Sequence, residues 1–80
     1  MMIDVVAVTP RPNFVLELEY ANGENRHFDA TSLLIQKPWT ALASWKLFRR
    51  ARVQNGTVAW PGDLDIAPET LYDCSIPIER

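Results

Sequence analysis

This chain of 80 residues has little of several features that commonly indicate a function. It has one cysteine, Cys74, which excludes an internal disulfide and fits a reducing compartment. Its three glycines all fall in predicted turns, so none belongs to a glycine-rich phosphate loop. No apolar run approaches the roughly 20 residues that cross a bilayer, and no signal peptide is recognisable. We therefore expect a soluble, cytoplasmic protein.

Side chains that bind metals or act as nucleophiles are also scarce. The candidate metal ligands are His27, Cys74, Asp63 and Asp65. A closed zinc site needs about four nitrogen or sulfur ligands, and Asp63-Leu64-Asp65 lacks the ligand series of a calcium loop. Cys74 and His27 could form a nucleophilic dyad, but a lone cysteine is more often a small buried side chain. We predict no metal, no cofactor and no enzymatic activity.

The hydrophobic content of 48% and the three tryptophans indicate a packed core, and the length predicts one domain over residues 1–80. Asn55-Gly56, between two apolar runs, predicts a hairpin with a type I′ turn that pairs Val53 with Val58. Alternation along the strands then defines two faces. The predicted inner face holds Ala51, Val53, Val58 and Trp60, and the outer face holds Arg52, Gln54, Thr57 and Ala59.

Two more strands are predicted before this hairpin, at residues 3–8 and 14–20, with a stiff turn at residues 9–13 between them. A three-residue loop at 21–23, with Gly23 left-handed, pairs Leu16 with Phe28 and places Arg26 beside Leu18. This register keeps Phe28 in the core. It leaves the stem of Arg26 lying along the sheet edge.

Helix signals complete the predicted fold. Asp29 is an expected N-cap, residues 39–43 form one helical turn, and Ser44 caps a helix over residues 45–50. Pro61 ends the hairpin strand, Pro68 begins a last helix with Leu71 inward, and Pro77 stops that helix. We predict an α+β fold: an antiparallel sheet of about five short strands, covered on one face by short helices. Trp60 is its expected central aromatic, and the Asp65 carboxylate is expected to accept backbone N–H groups.

The most specific motif is Trp60-Pro61 followed by Asp65, Pro68-Glu69 and Leu71-Tyr72. Weaker elements are Gly23-Glu24, Phe28-Asp29, Leu33-Leu34, Leu42, Phe48 and Gly56. Together they resemble, over about residues 3–72, a family of small bacterial proteins catalogued as domain of unknown function 2442. The family usually carries an acid where Ser44 stands and often a Phe where Trp39 stands.

The resemblance implies a small α+β domain without an established activity or cofactor. Some family members are fused to a DNA-binding helix-turn-helix, and short members resemble half of a two-protein, toxin–antitoxin-like operon. We expect no helix-turn-helix segment to accompany the domain in this chain. We therefore expect any DNA binding to come from the domain itself.

Charge is unevenly distributed although the formal net charge is only −2. Residues 30–62 contain no acid but five bases, and residues 63–79 contain five acids. The bases, Lys37, Lys46, Arg49, Arg50 and Arg52, could contact a phosphate backbone or steer a partner protein. Alternatively, Arg49 and Arg50 complement the negative end of a short helix.

Trp39 and Trp45 lie next to these bases in the sequence. Aromatic side chains beside arginine are typical of interface anchors, but both indoles could instead cover the sheet. We therefore predict a non-catalytic, protein-binding or regulatory module whose partner is another small protein or a second copy of the chain. The predicted surface comprises Trp39, Trp45, Lys46, Arg49, Arg50 and Arg52. A weak nucleic-acid-binding adaptor is the alternative, and no membrane partner is expected.

Overall fold

The computed structural model describes residues 3–78, and these form short strands and helices. The strands are β1 (Val5–Arg11), β2 (Val15–Tyr20), β3 (Asn25–Asp29), β4 (Arg52–Gln54), β5 (Thr57–Trp60), β6 (Leu64–Asp65) and β7 (Ile76–Pro77). The 3₁₀ helices are η1 (Ala30–Ser32) and η2 (Trp39–Ala43), and the α-helices are α1 (Trp45–Phe48) and α2 (Pro68–Asp73). Within residues 3–78, no helix is long and apolar enough to cross a membrane.

The strands form two antiparallel sheets, one of four strands in the order β1-β2-β3-β7 and one of three in the order β4-β5-β6. The α+β class is confirmed, but the single sheet of about five strands is wrong. The second hairpin meets the first sheet at its tip, where the Val5 N–H donates to the Gly56 carbonyl at 3.0 Å. In its own sheet, β5 pairs with β4 and β6, so the second hairpin does not extend the first sheet.

The β2–β3 hairpin has the predicted register. Leu16 pairs with Phe28, and Leu18 pairs with Arg26. Gly23 has a φ of 89°, and its N–H donates to the Tyr20 carbonyl at 2.9 Å. The bulged three-residue loop is thus confirmed, because only this register turns Phe28 toward the core.

The first connection differs from the prediction of a stiff turn at residues 9–13. Strand β1 continues to Arg11, with Pro10 paired to Leu16. A proline is tolerated there because β1 is an edge strand of its sheet. The chain reverses after the end of β1, at Asn13 and Phe14, which have φ values of 67° and 59°. A phenylalanine with positive φ is uncommon. The Phe14 ring packs edge-on against Phe48, with 5.2 Å between the ring centroids.

The β4–β5 hairpin has the predicted register, with Val53 opposite Val58. Asn55 and Gly56 both have the positive φ that a type I′ turn requires, at 52° and 76°. The predicted division into faces is wrong in part, since Val53 is 36% exposed while Thr57 and Ala59 are buried. The reason is that β5 is the central strand of its sheet and is covered on both faces.

Both sheets and the helices contribute to one hydrophobic core. Trp60 is fully buried, as predicted, and its indole Nε1–H donates to the Phe48 carbonyl at 2.9 Å. Its aromatic neighbour is Phe48 of α1, at 6.0 Å between ring centroids, and the expected neighbour Val53 lies outside the core. Leu71 of α2 is also fully buried. Trp60 therefore joins the three-stranded sheet to α1.

The helix boundaries differ slightly from the sequence prediction. The α1 helix ends at Phe48, and the Ser44 hydroxyl forms no cap bond although Ser44 occupies the N-cap position. Asp29 does cap η1, since its carboxylate accepts from the Thr31 N–H at 3.0 Å. The α2 helix begins at Pro68 as predicted. Pro77 lies in the edge strand β7, which sequence patterns did not indicate.

Candidate interaction surface

Four of the six predicted surface residues lie together on α1 and the turn that follows it. We call Trp45, Lys46, Arg49 and Arg50 the α1 surface. Arg49 and Arg50 stand three and four positions after Lys46, a spacing that makes side chains neighbours on a helix. The three bases, with Ser44 and Leu47, line an open cavity of about 410 Å³.

The three bases of the α1 surface have no anionic partner within residues 3–78. All three are exposed, and none forms a salt bridge or a side-chain hydrogen bond with another described residue. The absence of acids between residues 30 and 62 explains this locally. Their charges are therefore available to an external anion.

Trp45 does not line this cavity itself but lies between Ser44 and Lys46, which do, and it is 44% exposed. Its ring lies at 6.3 Å from Phe14 in an edge-on arrangement and at 5.8 Å from Phe48. These contacts fix one side of the indole while the other faces solvent. Trp45 and Arg49 are four positions apart, so the aromatic and cationic parts of the surface adjoin.

Trp39 and Arg52, the other two predicted surface residues, have different environments. Trp39 is half-buried, and its indole Nε1–H donates to the Asp65 carbonyl at 2.9 Å, which ties η2 to β6. Arg52 donates to the Gln54 side chain at 3.1 Å. It lines a separate cavity of about 100 Å³ that also contains Asp63 and Asp65. Neither residue shares the cavity of the α1 surface.

The Asp65 prediction requires a correction. Asp65 is exposed on β6, and its carboxylate accepts no hydrogen bond from the residues that the structure describes. The backbone around it is satisfied by strand pairing instead: Asp65 pairs with Ala59, and the Ile66 N–H donates to the Val58 carbonyl at 3.2 Å. The return from Trp60 is made by Pro61, Gly62 and Asp63, the last two with positive φ.

Cys74 is exposed, so the expectation of a buried thiol is wrong. It follows the end of α2 and lines a cavity of about 250 Å³ with His27 and Asp29. No hydrogen bond joins His27 to Cys74 in the described structure, and the His27 Nε2 lies 3.8 Å from a Glu17 carboxylate oxygen. Among residues 3–78, no group of three or more His, Cys, Asp or Glu side chains is placed to hold a metal ion.

The expectation that the Arg26 stem lies along the sheet edge is wrong, because β3 lies between β2 and β7 and Arg26 belongs to a buried polar cluster. Arg26 is buried, its Nη1 lies 2.9 Å from a Glu24 carboxylate oxygen, and its Nη2 donates to the Ser75 carbonyl at 3.0 Å. Its guanidinium carbon lies 4.2 Å from the centre of the Tyr72 ring. The sequence does contain a sign that Arg26 is buried, because strand alternation places it on the same face as Phe28. The cluster ties α2 and β7 to β3.

Hydrogen bonds and burial shift the pKa values of several carboxyl and tyrosine groups. The Asn22 amide and the Tyr72 hydroxyl hold the pKa of Glu24 below its usual range, and the same Glu24 contact raises the pKa of Tyr72. Burial raises the pKa of Tyr20 to about 12. The Tyr20 hydroxyl has no hydrogen-bond partner among the described residues. At η1, the Thr31 backbone N–H lowers the pKa of Asp29.

The fold and this surface define a small α+β domain with an exposed aromatic and cationic helix. A family model described as "Protein of unknown function (DUF2442)" matches residues 5–77. The chain belongs to this family, which confirms the resemblance found in the sequence. Neither the comparison with curated proteins nor the comparison with solved structures gave a match.

Proposed function

We propose that this protein is a non-catalytic, regulatory module that binds a partner protein through the α1 surface. The main observation is the exposed Trp45 beside three bases that have no anionic partner in the described structure. Aromatic residues and arginine are enriched at protein interfaces and supply much of their binding energy. The partner is another small protein or a second copy of the chain.

The packing of Trp45 supports this proposal. Its indole is held against Phe14 and Phe48, so little side-chain freedom remains to be lost when a partner binds. The proposal assigns no cofactor, metal or catalytic group, and it places the module in the cytoplasm, where the exposed thiol of Cys74 stays reduced. In its narrower form, the chain is one partner of a two-protein, toxin–antitoxin-like system, as the family resemblance implies.

The test is affinity purification from the native cell at low salt, with the tagged protein and two variants. We expect a small protein to be recovered with the parent and lost with Trp45→Ala. Ile35→Ala is the matched control, because Ile35 is also a large exposed apolar side chain but lies outside the α1 surface. Thermal melting establishes that both variants fold. Equal recovery by Trp45→Ala, or no recovered protein, contradicts the proposal.

A nucleic-acid-binding adaptor is the second candidate, since three bases without an anionic partner in the described part of the chain line an open cavity. Phosphate contacts make such binding steeply salt-dependent. The test is gel retardation of single- and double-stranded nucleic acid at about 50 mM salt, with Arg49, Arg50 and Arg52 changed to Gln as the control. We expect no retardation by the parent protein, because the chain is acidic overall, with a formal net charge of −2.

A further inference from the structure

We infer that the α1 surface binds an acidic segment of the partner that also carries an apolar side chain. The inference rests on the proposed function and specifies the chemistry of its partner. Carboxylates of the segment occupy the cavity between Lys46, Arg49 and Arg50, and the apolar side chain packs against the exposed side of Trp45.

Charge is the first reason. Lys46, Arg49 and Arg50 line one cavity at sequence spacings of three and four residues, and like charges at these spacings repel one another. No described acid relieves this repulsion. A carboxylate that enters the cavity interacts favourably with all three bases at once, and arginine can bind it through two parallel hydrogen bonds.

Shape is the second reason. The cavity measures about 410 Å³ and is open to solvent, and among residues 3–78 its lining consists of the three bases, Ser44 and Leu47. In an open site, water and salt weaken the attraction between the bases and a small anion, so such an anion binds there with little free energy. A polypeptide segment can place several carboxylates in the cavity while another side chain reaches Trp45. The site therefore favours an extended or helical peptide over a small ion.

The charge of the remaining surface distinguishes a peptide from a nucleic acid. Glu17, Glu19 and Asp29 lie on the outer face of the four-stranded sheet, and Asp63 and Asp65 border a separate cavity. Because the chain is acidic overall, with a formal net charge of −2, a long polyanion gains little beyond the three bases, whereas a short acidic segment needs only them.

The test uses the blocked peptide EELEEF as a probe in an NMR titration of the whole chain. We expect shifts of the Trp45 indole N–H and of the α1 amides, with Trp45→Phe assigning the indole signal. The double variant Arg49→Gln/Arg50→Gln should bind about tenfold more weakly, since two exposed ion pairs are lost. Lys37→Gln, an exposed base outside the α1 surface, is the matched control and should bind like the parent.

Two further peptides separate the contributions. QQLQQF, which lacks the carboxylates, and EESEES, which lacks the apolar side chains, should both bind more weakly than EELEEF. Equal binding of QQLQQF and EELEEF overturns the inference, as does an absence of shifts at α1. Partner recovery that depends on Trp45 but not on Arg49 and Arg50 also overturns it, while leaving the proposed function intact. A single strand of oligothymidylate that outcompetes EELEEF favours nucleic acid instead.

Discussion

Gly56 is constrained at the residue level in two independent ways. Its φ of 76° lies in the left-handed region, and a Cβ at this position would lie 2.8 Å from the Asp4 Cγ. Gly62 has a similar φ of 89° but has open space around the position of a Cβ. Both glycines need a positive φ, but only at Gly56 would a Cβ approach another side chain closely. Comparing them separates the cost of backbone strain from the cost of the steric contact.

We expect Gly56→Ala to lower the free energy of unfolding by about 1–3 kcal/mol, and by more than Gly62→Ala does. Gly56→Val should be at least as destabilising, because a branched side chain tolerates positive φ poorly. Urea denaturation measures all three. In an Asp4→Ala background, the difference between the two Ala variants should shrink, because only the Asp4 Cβ, at 3.3 Å, stays close to the added Cβ. Equal losses in the parent background would show that Asp4 moves aside without consequence.

Tyr20 illustrates a buried hydroxyl without a hydrogen bond. Because this hydroxyl has no described partner, its removal in Tyr20→Phe leaves no other group unsatisfied and should be neutral or slightly stabilising at neutral pH. Tyr72→Phe loses the hydrogen bond to Glu24 at 2.8 Å and should be destabilising. Chemical denaturation of the two variants tests this order. Clear destabilisation by Tyr20→Phe would reveal a hydrogen bond to the hydroxyl.

The raised pKa of Tyr20 adds a pH dependence. Burial raises this pKa from 10.0 to about 12, so the unfolded chain releases the proton first. The corresponding stability is complete below pH 10 and is lost as the pH rises toward 12. Unfolding scans of the parent across this interval should show a decline that Tyr20→Phe reduces. An identical decline in both proteins would assign the alkaline transition to other groups.

At the level of elements, Trp60 connects β5 to α1 through its ring and its indole N–H. Trp60→Ala should lower the free energy of unfolding by about 3–5 kcal/mol, a large share of the stability of a small domain. Trp45→Ala removes an indole that is 44% exposed and should be markedly milder. Denaturation midpoints of the two variants give the comparison. A Trp60→Ala protein as stable as Trp45→Ala would contradict the central position of Trp60.

The elements that the sequence predicted best are those with a strong local cause. The two hairpin registers follow from the positive φ of Gly23 and Gly56, and the start of α2 follows from Pro68. The strands β6 and β7 have two residues each, too few to show alternation. The partner of β7 is β3, which is distant in sequence, and β6 is too short to be recognised although its partner β5 is nearby. Local patterns therefore could not indicate two sheets.

The candidate surface shows the same division between local and long-range causes: sequence predicts its local part and not its tertiary contacts. Lys46, Arg49 and Arg50 are close in sequence, so helical spacing alone brings them together. Trp39 and Arg52 were grouped with them by proximity along the chain, but tertiary contacts decide their positions. Trp39 donates to the Asp65 carbonyl, 26 residues away. The Arg26 cluster likewise depends on Ser75, 49 residues away, and no local pattern reports such a contact.

At the level of the whole molecule, the separation of charge has a consequence for stability. A cationic surface without acids should destabilise the free protein slightly, because Lys46 repels both Arg49 and Arg50. We expect Lys46→Gln to raise the free energy of unfolding by about 0.3–1 kcal/mol at low salt, since it removes two like-charge pairs. This gain should shrink at about 1 M salt, where the screening length falls to about 3 Å.

Lys37→Gln is the matched control for this prediction. Lys37 is an exposed base of the same acid-free segment but does not line the α1 cavity, so its substitution should leave stability unchanged. Urea midpoints at low and high salt for the parent and both variants provide the measurement. A loss of stability in Lys46→Gln would mean that packing of the lysine aliphatic stem stabilises α1 by more than the charge repulsion destabilises it. A gain together with weaker binding of EELEEF would mean that this protein maintains its partner surface at the expense of its own stability.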